Sequence, residues 1–88
     1  MKIALDYDQT YTADPPFWDQ FIGLAHNYGH EVQIVTKRGK DNQGELVHDV
    51  GVPVTYTNRA AKFKFAQDQG LHFDIWIDDS PINLFVEG

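Results

Sequence analysis

An α/β fold built on a parallel sheet is what this sequence predicts, and three observations predict it. Four short apolar runs alternate with helix-like segments along the chain. The first run, Ile3-Ala4-Leu5, is apolar at consecutive positions, as a strand covered on both faces requires. The runs end in Asp6, Thr36, Thr57 and Asp78. Right-handed crossovers would bring those ends to one edge of the sheet, where open α/β sheets bind ligands.

The elements follow in order. Lys2–Asp6 reads as the first strand. Asp14 is placed to cap a helix, with Pro15 and Pro16 in its first turn, where a missing N–H costs little. Phe17, Phe21, Leu24, Ala25 and Tyr28 fall on one face of that helix at helical spacing, and Gly29 ends it. Glu31–Thr36 is the second strand. Asp41–Val50 reads as a second helix with Leu46, Val47 and Val50 inward and Gly51 after it, although Gly44 is a poor residue for a helix interior. Val52–Thr57 is a short third strand, and Pro53 fits its start or a sheet edge. Asn58 is placed to cap a third helix from Ala60 to Gln69, with Ala61, Phe65 and Gln69 facing the core and Gly70 closing it. Phe73–Asp78 is the fourth strand. Asp79-Ser80-Pro81 then leads into a short apolar tail, expected to be helical.

The chain has 88 residues, no internal repeat and no linker, so one small domain over residues 1–88 is expected. It has no cysteine, hence no disulfide framework and no thiolate metal site. No apolar run reaches membrane-spanning length, and Met1–Lys2 leads straight into a strand instead of a signal peptide. A soluble, cytoplasmic protein is the expectation. Thirteen acids against seven bases give a net charge of -6, which argues against extended nucleic-acid binding. Setting aside Asp6, Asp8, Asp78 and Asp79 leaves nine acids against seven bases, or -2, so much of the imbalance can belong to a cation site.

Those four aspartates are the candidate site. Asp6 and Asp8 follow the first strand; Asp78 and Asp79 follow the fourth. If the two strands are neighbours, three or four carboxylates converge and raise one another's pKa values. A hard divalent cation such as Mg²⁺ resolves that conflict with oxygen ligands, and one carboxylate can then act as a nucleophile. Thr36 offers a hydroxyl and a backbone N–H to a phosphoryl group, and Lys62 or Lys64 offers a positive charge. Together they describe a phosphoryl-transfer site.

DYDQT, the threonine of QIVTK, a lysine ahead of the last strand, and IWIDD stand in the order of the four motifs of the haloacid dehalogenase superfamily. The chain resembles a small phosphatase-type member of that superfamily over nearly its whole length. The resemblance implies a minimal Rossmann-like three-layer α/β/α domain with roughly four parallel strands. It implies Mg²⁺-dependent phosphomonoester hydrolysis through an aspartyl-phosphate. Asp6 then resembles the nucleophile and Asp8 the general acid and base. Asp6, Asp78, Asp79 and the backbone carbonyl of Asp8 resemble the metal site. Thr36 and Lys62 resemble the phosphate-binding pair, with Lys64 the alternative lysine. A second acid at position 8 favours phosphate chemistry over dehalogenation.

The spacing leaves no room for an inserted cap, either between Thr10 and Pro15 or between Thr36 and Lys62. An uncapped site suits a large phosphorylated substrate or a partner subunit acting as a lid, and an oligomer stays open. Lys37, Arg38 and Lys40 form a basic cluster after Thr36, which keeps nucleic-acid ends among the candidate substrates. His26, His30, His48 and His72 share no spacing. An EF-hand reading of DYDQTYTADPPF fails because its sixth position is not glycine and its twelfth is Phe17 instead of glutamate. Two readings compete with the hydrolase. One is a catalytically silent metal- or phosphate-binding module working within a complex. The other is a receiver-like signalling domain, in which the acid pair comes first and the lysine last; here the lysine precedes the closing acid pair.

Overall fold

The computed structural model describes residues 1–39 and 50–88. Its elements are β1 (Lys2–Leu5), a 3₁₀ turn (Tyr11–Ala13), α1 (Pro15–Asn27), β2 (Glu31–Thr36), β3 (Val54–Tyr56), α2 (Lys62–Asp68), β4 (Ile75–Ile77) and a second 3₁₀ turn (Pro81–Leu84). The strands form one sheet in the order β3-β2-β1-β4, and every pairing is parallel. The expected α/β class is therefore the observed one. The helix expected over Asp41–Val50 lies outside the described residues except for Val50, which packs against the core.

Alternation along β1 divides the core into two layers. Ile3 and Leu5 face one side with Ile22 and Ala25 of α1; Ala4 faces the other with Val35 and with Ala66 of α2. Helices on both faces explain why the strands are apolar at consecutive positions.

Asp14 caps α1 as its sequence position suggests, accepting a hydrogen bond from the Phe17 N–H. The buried face of α1 differs from the expected one. Ile22 and Ala25 are buried and Trp18 and Phe21 pack beside them, whereas Phe17, Leu24 and Tyr28 are exposed. Both stripes of this helix are apolar, so periodicity alone does not choose between them. Leu24 and Tyr28 line an open apolar groove with Met1, Ile3 and Ile75.

α2 also departs from expectation. It starts at Lys62, with Ala61 rather than Asn58 at the N-cap and no capping side chain. Asn58 and Arg59 have φ of 51° and 70°, so the chain makes a left-handed turn before the helix begins. Backbone bonds from Asn58 and Arg59 to the carbonyls of Arg38 and Lys37 hold that turn against the loop after β2. The inward residues of α2 are Lys62 and Ala66; Phe65 is half-buried and Gln69 is exposed. The burial of a lysine is the feature that ties this helix to the site.

Candidate functional site

The parallel order places β1 between β2 and β4, so the ends of all three strands lie side by side. Asp6 is the residue after β1, and its N–H donates to the carbonyl of Ile77, the last residue of β4. Asp78 follows immediately. One carboxylate oxygen each from Asp6, Asp78 and Asp79 lies within 4.8 Å of the others. Adjacency of β1 and β4 is what assembles this cluster.

Lys62, the first residue of α2, enters it from the opposite layer. Its Nζ donates to Asp6 Oδ1 and to Asp78 Oδ2, both at 2.6 Å, and its side chain is 2% exposed. Lys64 is exposed and pairs with Asp68 one turn along the helix, so the lysine in the cluster is Lys62.

Thr10 supplies the remaining link. Its hydroxyl donates to Asp6 Oδ2 at 2.9 Å, lies 3.0 Å from Asp79 Oδ1, and accepts from the Asp79 N–H at 3.1 Å. A tight loop makes this reach possible. Gln9 adopts φ of 65°, and the Tyr11 N–H returns to the Asp6 carbonyl, which folds Thr10 back over the end of β1. The Ser80 N–H donates to Asp78 Oδ1 and fixes the second acid pair in the same way.

Electrostatics follow from three carboxylates facing one ammonium. Burial, reinforced by a hydrogen bond to Asp79, pushes the Asp6 carboxyl up to about 6 despite the opposing pull of Lys62. The Asp79 carboxyl is lowered, chiefly by that hydrogen bond from Asp6. The Thr10 hydroxyl stands between the two acids and is the link that joins them. The donor set is all hard oxygen and short of cationic charge, which fits a divalent cation of the Mg²⁺ class.

Asp8 stands apart from the three. Arg38 grips its carboxylate, with Nη2 at 2.7 Å from Oδ1 and Nε at 2.9 Å from Oδ2. The Arg38 guanidinium also lies 5.3 Å from the ring centre of the fully buried Tyr7. Thr36, at the end of β2, is buried, and its hydroxyl accepts from the Arg38 N–H at 3.3 Å. The basic cluster divides among the described residues: Arg38 holds Asp8, while Lys37 donates to Asn83 and to the Val86 carbonyl. Lys40 lies outside the described residues.

The sequence marks Thr10 only as part of the DYDQT stretch and Arg38 only as one of a basic cluster that could contact substrate, with no specific role for either. The Asp-x-Asp-x-Thr register was the available signal for Thr10, since a threonine four residues past Asp6 can return only if the loop turns tightly. For Arg38 the signal was weaker: one cation among three, with nothing local to single it out.

No helix among the described residues is long and apolar enough to cross a membrane. No protein-family model, curated protein or solved structure matches the chain.

Proposed function

We propose that this chain is a Mg²⁺-dependent phosphomonoester hydrolase acting through an aspartyl-phosphate on Asp6. The observation that carries the reading is the three-carboxylate cluster at neighbouring strand ends, crossed by a buried lysine. A purely structural ion pair would need one acid for one base. The excess of carboxylate over ammonium is what a cation would relieve, and the Asp6 carboxyl, raised chiefly by burial and further by Asp79 and Asp78, would ionise more readily beside one. The motif order and its resemblance to the haloacid dehalogenase superfamily support the same assignment.

Asp6, Asp78 and Asp79, with the backbone carbonyl of Asp8, would hold Mg²⁺. Bound there, the cation supplies positive charge to the phosphoryl oxygens and keeps Asp6 ionised. An oxygen of Asp6 attacks phosphorus and the ester oxygen leaves, taking its proton from Asp8. Asp8, now a carboxylate, then removes a proton from water as that water displaces Asp6 from phosphorus. Lys62 offsets charge on Asp6 throughout, and Thr36 offers its hydroxyl to a phosphoryl oxygen. The substrate class is a phosphomonoester, and the open site suits a large one.

The engagement of Asp8 by Arg38 favours one alternative, a silent binding module, because a carboxylate held in an ion pair is a poor proton carrier. Phosphoenzyme trapping separates the two. Asp8→Asn should accumulate a phosphoryl adduct on Asp6, seen by mass and removed by hydroxylamine, while Asp6→Asn forms none. Absence of any adduct in Asp8→Asn, with Mg²⁺ and an aryl phosphate present, would favour the silent module.

A further inference from the structure

The sequence places the proposed acid and base, Asp8, two residues from the proposed nucleophile, yet its carboxylate lies outside the cluster that Asp6 joins. It is held by Arg38 in a two-pronged pair, and the same arginine follows the proposed phosphate-binding Thr36 by two residues. We propose that Arg38 is a substrate-responsive positioning residue: it holds Asp8 in the resting chain and releases it when a substrate carries a second anionic group beside the reacting phosphoryl. This deepens the hydrolase reading and rests on it for the role of Asp8.

Three features suit Arg38 to such an exchange. Its backbone is anchored at both sides, the N–H on the Thr36 hydroxyl and the carbonyl on the Asn58 N–H, so a movement would be confined to the side chain. The guanidinium lies over the Tyr7 ring, an apolar support that persists whichever anion it faces. The pair is part-buried and reaches solvent on its Asp8 side, with the Asp8 side chain 48% exposed and that of Arg38 27% exposed.

Solvent access on the Asp8 side lets a second anion approach the guanidinium. An exposed ion pair favours its closed state by about fivefold, and the two-pronged, part-buried geometry here raises that figure. A phosphoryl dianion brings twice the charge of a carboxylate to the same fork, so at equal geometry it attracts the guanidinium more strongly than Asp8 does. A second anion on the substrate therefore wins the guanidinium, and Asp8 is freed only when such a substrate is present. A simple monophosphate lacks that second group and meets Asp8 still engaged. The favoured substrates are bis-anionic phosphomonoesters: a phosphoryl group with a neighbouring phosphoryl group.

Equilibrium binding tests this without needing turnover. Inorganic phosphate and methylenebisphosphonate would be titrated, at saturating Mg²⁺, into wild type, Arg38→Gln, Arg38→Lys and Asp8→Asn. Wild type should prefer the bisphosphonate. Arg38→Gln should lose about tenfold of that preference, and Arg38→Lys should recover part of it, since lysine keeps the charge without the fork. Asp8→Asn should bind the bisphosphonate more tightly than wild type, by about fivefold or more, because no carboxylate competes for the guanidinium. Equal weakening of both ligands in Arg38→Gln, or unchanged bisphosphonate binding in Asp8→Asn, would overturn the proposal. With turnover as the readout, Arg38→Gln should raise kcat on an aryl monophosphate while raising KM for a bis-anionic substrate. Complete inactivity of wild type counts against the hydrolase reading, and the binding series still decides the exchange of Arg38 between anions.

Discussion

Replacing Lys62 by methionine removes one charge and keeps most of the aliphatic stem that fills its site. In the wild type the ammonium makes two bonds of 2.6 Å, to Asp6 and to Asp78, and all three side chains are at least nine-tenths buried. Removing one partner of a buried ion pair costs about 3–5 kcal/mol, because the remaining charge is left without compensation. Here two carboxylates lose their partner at once. Asp6, already at about 6, would relieve part of the strain by taking up a proton, so the lower end of that range applies. In a small domain a loss of about 3 kcal/mol is a large share of total stability. With a urea dependence of about 1 kcal/mol per molar, the midpoint should fall by about 3 M. The assay is urea unfolding at neutral pH in metal-free buffer, followed by the same titration with Mg²⁺. Added Mg²⁺ should stabilise Lys62→Met more than wild type, since it replaces the missing charge. A variant whose midpoint matches wild type in metal-free buffer would refute the claim that Lys62 balances the cluster.

Other expectations follow from the same geometry. Asp78→Asn should weaken Mg²⁺ binding by about tenfold or more, a loss of at least about 1.4 kcal/mol, and an unchanged calorimetric titration would remove Asp78 from the metal site. Thr10→Val deletes the hydroxyl that joins Asp6 to Asp79 and should cost about 1–3 kcal/mol in thermal or chemical unfolding; wild-type stability would show the link to be dispensable. The folded chain keeps a proton on Asp6 up to about pH 6, against an ordinary value of 3.8, so between those values it binds a proton that the unfolded chain has released. Metal-free stability should therefore decline as pH rises through that window, and Asp6→Asn should flatten the decline. A wild-type profile that rises there relative to Asp6→Asn has the opposite sign and contradicts the assignment. The same proton competes with the cation, so Mg²⁺ affinity should fall as pH drops below about 6.

The fold class was legible because its signals are local and repeated. Consecutive apolar residues at Ile3-Ala4-Leu5 and the proline-flanked start of α1 each have one simple physical reading, and β2 matches its expected bounds, Glu31–Thr36. The buried face of α1 was not legible, because Phe17, Leu24 and Tyr28 continue the apolar surface past the stripe that the sheet covers. Asn58 looked like a helix cap by composition, but the left-handed turn at Asn58 and Arg59 is set by contacts with the loop after β2, which no local pattern encodes. In the site, Asp6, Asp78 and Asp79 could be grouped from strand ends alone, once β1 and β4 were assumed adjacent. The choice of Lys62 over Lys64 needed the rotation of α2, which turns one lysine inward and leaves the other on the surface. The grip of Arg38 on Asp8 is a contact between side chains thirty positions apart, beyond the reach of spacing rules.

Phosphate release from a generic aryl phosphate, with and without Mg²⁺, in wild type and Asp6→Asn, is the most direct test of the hydrolase reading. The account predicts metal-dependent release by wild type, slower than by Arg38→Gln because a monophosphate leaves Asp8 engaged, and none above background from a folded Asp6→Asn. Release that persists in Asp6→Asn at the wild-type rate would contradict the central claim, because an amide at that position cannot form the acyl-phosphate.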